Sequence, residues 1–236
     1  ASLLIVIIGS APDALEARSF KREFFEGLVV INNAWNIRDD WDYCIFPDDF
    51  PESRRPHNNN NQRLIGSAEY VPLQNKYGGF VYSGGTMAFT AGYWALGYLK
   101  PKAIAYLGCD MIYDGEDTHF YGKGTPDPLR KDPTLKNLKA KSARLEAIAA
   151  TQNCSIFNLS KRPDSNLIFR RTSLNDILKH NIPRTLNNTL LKSTLQKEKE
   201  LGYFIEDGRY WKHLENFDQE KIDLLDDLWD KVIDHY

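Results

Sequence analysis

The chain has 236 residues, 26% of them charged and 42% hydrophobic, with a formal net charge of −2. This is the profile of a soluble globular protein long enough for one large α/β domain or one domain with an appendage. The charge balance gives no bulk attraction to nucleic acid, and the longest apolar run, Leu3 to Gly9, is too short to span a bilayer.

Leu3-Leu4-Ile5-Val6-Ile7-Ile8 is a continuous apolar run that suits a central parallel strand covered on both faces. Gly9-Ser10-Ala11-Pro12 turns the chain, with Ser10 able to cap and Pro12 near the first helical position, which predicts a helix from Asp13 to Phe25. Strands are expected at Leu28 to Asn33 and Tyr43 to Phe46, and short ones at Val71-Pro72-Leu73 and Phe80-Val81-Tyr82. A helix then runs from about Gly85 to Leu99, a strand from Ile104 to Gly108, a helix around Leu135 to Ala150 and a strand from Ile156 to Leu159. This alternation predicts βαβ units in a doubly wound, mostly parallel sheet, with ligands outside the carboxyl ends of the strands.

Two segments break the regularity. Pro51 to Gln62, with its Asn58-Asn59-Asn60-Asn61 run, is a polar loop, and Asp114 to Pro133 should overhang the carboxyl edge of the sheet. The catalytic unit is expected over residues 1–180, and 181–236 as a small C-terminal appendage. There, Leu186 to Leu201 is amphipathic, Asp207-Gly208 signals a hairpin between apolar flanks, and Phe217 to Tyr236 has an amphipathic helical pattern. The expectation is that it packs on the core, with a partner or a membrane surface as the other occupants.

The most telling stretch is Ser83-Gly84-Gly85-Thr86 and the apolar helix after it. A glycine loop opening a helix exposes N–H groups at its positive end, and no acidic side chain lies between Tyr82 and Tyr98, so the loop reads as an anion site for a phosphate-bearing ligand. The expected strand ends carry Gly9-Ser10, Asn32-Asn33, Asp48-Asp49, Ser83-Gly84, and Asp110 with Tyr113. Such neutral groups suit hydrogen bonding to a base and ribose. Asp13 and Glu16 would compete with a phosphate at the first loop, which suits a ribose or base better. Asp40-Trp41-Asp42 resembles a metal-holding triplet but precedes a strand, and reads first as a solvated turn; Asp48 and Asp49 lie at the right end for metal or ribose.

In the overhanging loop, His119 is placed to accept a hydroxyl proton, and Tyr113 and Tyr121 to donate to a departing phosphate. Lys123, Arg130, Lys131, Lys136, Lys139, Lys141 and Arg144 form either a basic cluster for an anionic substrate or a solvated helix face. Cys44, Cys109 and Cys154 are far apart, each in or beside an apolar run, which predicts buried free thiols in a reducing compartment and offers no zinc site. The chain opens at Ala1 rather than a methionine, so a preceding segment stays open, and no signal peptide is read in what is present.

The order of these pieces resembles the bacterial CMP-sialic acid transferases of glycosyltransferase family 42 and the related MptE-like domains, from about Leu3 to Arg171. The pieces are Gly9-Ser10-Ala11-Pro12-Asp13, the strand-end Asn33, Ser83-Gly84 with Ala95-Leu96-Gly97-Tyr98, and Gly108-Cys109-Asp110 with Tyr113. Leu145-Glu146 and Asn158-Leu159-Ser160 followed by Ser165-Asn166-Leu167 complete the series.

The resemblance implies a Rossmann-like fold that binds a CMP-sugar without a metal or other cofactor. Under it Asn33, Ser83 and Gly84 would contact the donor, Gly9 and Ser10 would form the first loop, and two tyrosines would stabilise the leaving phosphate, Tyr113 matching one and Tyr121 the other loosely; the glycine-loop and strand-end readings add Gly85, Thr86 and Asp110 to the donor site. The resemblance places the base at a histidine just before the late helix, where this chain has Lys136. Either His119 takes the role from the loop, or the base has another identity, or the reaction is another.

The leading expectation is an inverting transfer of a CMP-activated, sialic acid-like sugar to a glycan hydroxyl in the cytoplasm. The inner membrane face is open as a location, as are peripheral membrane association and a homo-oligomer. The alternatives are MptE-like diphosphoryl transfer with a metal at Asp48, Asp49 or Asp110, and a nucleotide-binding protein without chemistry.

Overall fold

The computed structural model describes residues 3–113, 132–179 and 181–234. Its centre is one seven-stranded, wholly parallel sheet of β1 (Leu4–Ile8), β2 (Gly27–Ile31), β3 (Tyr43–Ile45), β4 (Arg63–Ile65), β5 (Ala103–Leu107), β6 (Ser155–Asn158) and β7 (Arg170–Arg171). The spatial order is β4-β3-β2-β1-β5-β6-β7. The chain therefore winds outward from β1 to β4, returns to the other flank of β1 as β5, and winds outward again; the switch falls between β1 and β5. In register, Ile5 lies beside Gly27 on one side and Ile104 on the other.

Alternation within the strands makes the two faces. Ile5, Ile7, Val29, Ile31 and Ile45 point into one apolar cluster, and Leu4, Val6, Ile8, Leu28, Val30 and Cys44 into the other. The first face is covered by α1 (Ser67–Lys76), α2 (Phe80–Ser83), α3 (Met87–Trp94) and α4 (Leu138–Thr151). The second is covered by short 3₁₀ segments, Pro12–Ser19 and Asn32–Ile37, which bring Ala14, Ala17, Ala34 and Ile37 against the sheet.

Several local expectations change. The helix expected over Asp13 to Phe25 is instead two 3₁₀ pieces, Pro12–Ser19 and Arg22–Phe24; Ala11 holds the cap position and no side chain caps it. Val71-Pro72-Leu73 and Phe80-Val81-Tyr82 are helical, in α1 and α2, with Pro72 inside α1. β4 and β7 are strands that periodicity did not reveal, being three and two residues long. Asp207-Gly208 does turn the chain, with Gly208 at φ 76°, but the turn joins no strand pair.

In the C-terminal segment α5 (Asn188–Leu201) and α6 (Gln219–Val232) pack on the core, and the apolar cluster continues into Tyr210, Ile222 and Leu225. The attachment is also ionic. α4 presents Lys141 to Asp226 at 3.0 Å, Arg144 to Glu198 at 2.9 Å, and Glu146 to Arg184, all deeply buried. Lys141 and Arg144 are thus neither a solvated face nor an anion-binding cluster, because their counter-ions come from distant parts of the chain. Among the described residues no helix is long and apolar enough to cross a membrane.

The candidate ligand site at the carboxyl edge

Of the residues expected to form the site, Gly9 and Ser10 follow β1, Asn33 follows β2 and Asp110 follows β5, all at the carboxyl edge of the sheet. At the switch, Gly9 donates to the Leu107 carbonyl at 2.9 Å and Ala11 to the Gly108 carbonyl at 3.1 Å, so the first and fifth loops are zipped together. A methyl group on Gly9 would overlap the Gly108 carbonyl, and Gly108, at φ 75°, packs on Ala14. Both glycines are required by this approach.

Asp110 lies at the end of this zipper and is wholly buried. Its carboxylate accepts from Asn158 Nδ2 at 3.0 Å and Ser160 Oγ at 2.5 Å, and its carbonyl from the Asn166 amide at 2.9 Å. Asp110 therefore shapes the floor by tying the loops after β5 and β6, and it does not present itself to a ligand. The next residue, Met111, sits in the left-handed region at φ 59°, an uncommon conformation for a non-glycine residue. Tyr113 is half-buried against the core.

Beside this floor stands Asp13. Both its carboxylate oxygens are shielded from solvent and take no hydrogen bond from the described residues, because the neighbouring Ser160 hydroxyl gives its proton to Asp110 instead. Burial, then the nearby Asp110 charge, push its carboxyl above the usual carboxylate range, opposed by Ser160 and Arg162. At the end of the neighbouring β2, Asn32 is held at φ 52° with its Oδ1 likewise buried and unpartnered. Asn33 is buried next to it, and Ser10 is partly exposed on the first loop. Buried acceptors are normally satisfied, so this edge has unmet demand for donors.

The glycine loop differs from expectation. Ser83 is wholly buried, its hydroxyl turned back to the Phe80 carbonyl at 3.4 Å. The Ser83 and Gly84 amides close α2, donating to Gly79 and Phe80 at 3.2 and 2.9 Å. The Gly85 amide donates to Thr134 Oγ1 at 3.0 Å, Thr134 donates to Asp132 Oδ1 at 2.7 Å, and Tyr210 donates to Asp132 Oδ2 at 2.5 Å. A methyl group on Gly85 would overlap the Tyr210 hydroxyl.

Protein groups thus occupy the amides of Ser83, Gly84 and Gly85, which corrects the reading of these three as an anion cradle. Thr86 holds the cap position of α3 without a side-chain bond, and the start of α3 faces the carboxyl edge because the chain runs from it down to β5. An anion there would meet the amides from Thr86 onward.

Other assignments resolve simply. Asp40 pairs with Arg38, while Asp42 accepts from the Leu28 amide at 2.8 Å and pairs with Arg22, so the acidic triplet is a structural turn. Asp48 accepts from Ser67 Oγ at 2.6 Å, and Asp49 is exposed. Lys136 is engaged by Asp223 at 2.6 Å. His57 is exposed. His119, Tyr121, Lys123, Arg130 and Lys131 lie outside the described residues.

Among the described residues no group of three or more His, Cys, Asp or Glu gathers. Sequence reasoning missed the weight of Asp13 and the part played by Asp132, Thr134 and Tyr210. The signal for Asp13 was its position one residue after Pro12 at the end of the first strand; the other three carried none. Comparison with protein-family models, with curated proteins and with solved structures finds no match.

Proposed function

We propose that the chain is a glycosyltransferase that moves a sugar from a nucleotide donor, of the CMP type, to a glycan hydroxyl with inversion. The observation that carries this reading is the pair of buried acceptors that no described residue satisfies, the Asp13 carboxylate in the 3₁₀ segment after β1 and Asn32 Oδ1 at the end of the adjoining β2. Carboxylate and amide oxygens accept hydrogen bonds, and ribose and sugar hydroxyls donate them. An anion would be repelled by Asp13 and is better served at the start of α3, so the donor lies across the edge with its phosphate toward Thr86 and its ribose toward β1 and β2.

The resemblance noted in the sequence supports the same orientation. Lys136 is held by Asp223 and is a poor base. With Asp13 given to the ribose, proton abstraction from the acceptor hydroxyl falls to the expected part for His119. Neutral donors such as Tyr113 and Tyr121 would serve the leaving phosphate.

Calorimetry and thermal shift with CMP, UMP, GDP and ATP test the reading, since a ligand of the folded state raises the unfolding temperature. Preference for CMP, lost in Asp13→Ala without loss of fold, supports it; no response to any nucleotide refutes it. A second reading, phosphoryl transfer with magnesium, would draw on the exposed Asp48 and Asp49 rather than on Asp110, whose carboxylate is taken by Asn158 and Ser160. ATP binding that requires magnesium and disappears with a chelator would select that one.

A further inference from the structure

A concavity lies in the helix layer, apart from the strand-end residues. It has a volume of about 530 Å³ and is enclosed by the last turns of α1 and α5 and the second half of α4. That half of α4 leads to Thr151, four residues before β6 begins, so the cavity faces the amino end of the sheet. Its size is that of a small-molecule site. Tyr77, Tyr82, Ile148, Leu195 and Phe204 supply most of its wall, three of the five being aromatic. Gly78 and Gly202, both left-handed at φ 101° and 71°, leave its margins without side chains.

The polar groups of the cavity are spoken for. On the floor Arg144 gives Nε and Nη2 to the two Glu198 oxygens, each at 2.9 Å, and Trp229 Nε1 donates to Oε2 at 2.9 Å. The Tyr77 hydroxyl donates to Gln152 Oε1 at 2.5 Å, and the Tyr82 hydroxyl to the Glu198 carbonyl at 2.6 Å while accepting from the Tyr203 amide at 2.9 Å.

Lys76 and Lys199 stand exposed at the rim, each in the last turn of its own helix, where a cation offsets the negative helix end. A cation would find no free carboxylate there, and an anion would meet Lys76 and Lys199 only at the solvated rim, so a charge carried into the cavity would lose its hydration without a counter-ion. An apolar ligand loses nothing and covers aromatic surface.

We propose that this cavity binds an uncharged aromatic molecule of two or three rings, independently of any nucleotide at the carboxyl edge. The probe is 2-naphthol, compared with 2-naphthoate, 2-naphthylmethylammonium and dodecanol by calorimetry on the whole chain, with the amide resonances of Gly78 and Gly202 followed by NMR. The expected result is one-to-one binding of 2-naphthol with a Kd below about 1 mM, at least tenfold tighter than either charged analogue, with both glycine resonances shifting.

Leu195→Trp, which fills the cavity from a half-buried position, should abolish binding. Lys76→Gln/Lys199→Gln, on the exposed rim, should leave it within about twofold, well under the tenfold that corresponds to 1.4 kcal/mol. No saturable binding, equal binding of a charged analogue, or binding that survives Leu195→Trp in a folded protein would overturn the proposal. Tighter binding of dodecanol would overturn the aromatic assignment.

Discussion

Glu198→Gln is the sharpest test of how the C-terminal segment is held. Arg144 is wholly buried and the Glu198 side chain is 5% exposed, so neither charge is relieved by water. The substitution keeps the shape and leaves one oxygen for Trp229 Nε1, which isolates the effect of charge. It turns the oxygen that accepts from Nη2 at 2.9 Å into an amide donor facing the guanidinium, and leaves Nε bonded to a neutral oxygen; a hydrogen bond to a charged group is worth about 1.5–3 kcal/mol. It also strands a buried cation, for which the usual cost is about 3–5 kcal/mol.

The expected loss is therefore about 3–5 kcal/mol at neutral pH, a large share of the stability of a domain this size. Urea denaturation followed by tryptophan fluorescence and circular dichroism measures it, with Trp229 as a local reporter. Adding Arg144→Met to Glu198→Gln should return at least half of the loss, because the stranded charge is then gone. A Glu198→Gln protein within about 1 kcal/mol of the parent would show that the pair behaves as an exposed one. A double variant worse than the single would equally refute the reasoning.

Asp13→Asn should stabilise the protein at neutral pH. The native state raises the Asp13 carboxyl above its unfolded value, so the folded chain binds that proton more tightly and stability falls as pH rises through the folded value. The advantage of the Asp13→Asn variant over the parent should shrink as pH falls toward 3.8 in urea titrations; a pH-independent difference would contradict this.

Gly85→Ala should cost about 1–3 kcal/mol through overlap with Tyr210 rather than backbone strain. The cost should be much smaller in a Tyr210→Ala background; additive effects would disprove the contact. The thiols of Cys44 and Cys154 are each pushed up to about 12 by burial, and that of Cys109 is pushed up further. None should react with a thiol reagent at pH 8 until the protein unfolds, and rapid native labelling would refute their burial.

The sheet was legible where a strand is long and apolar on both faces. The runs at Leu3, Leu28 and Ala103 became β1, β2 and β5, the central three strands, because parallel strands buried on two sides leave an uninterrupted apolar signature. The edges were not legible: Arg63-Leu64-Ile65 and Arg170-Arg171 are too short and too polar, and join only because β3 and β6 offer unpaired backbone. Periodicity misread Val71-Pro72-Leu73 because a proline in a short apolar stretch looks like a breaker, whereas α1 absorbs it. At the site, Gly9-Ser10, Asn32-Asn33 and Asp110 were placed at strand ends from topology alone, whereas Ser83-Gly84 follow a helix, and the Asp132, Thr134 and Tyr210 chain was invisible, since Tyr210 meets Gly85 across more than half the length of the sequence.

That chain changes how the C-terminal segment is understood. Sequence alone made residues 181–236 an appendage and the glycine loop a ligand site, two unrelated features. In the fold, one hydrogen-bonded path leads from Tyr210 through Asp132 and Thr134 to the amide of Gly85, immediately before the cap of α3. The same segment is bound to α4 through Asp226, Glu198 and Arg184. Displacing it would expose three buried charges on α4 and release the Gly85 amide in one step. The core and its C-terminal segment are therefore coupled at the place where an anion would approach α3, and a truncation after α4 would change that surface as well as lower stability.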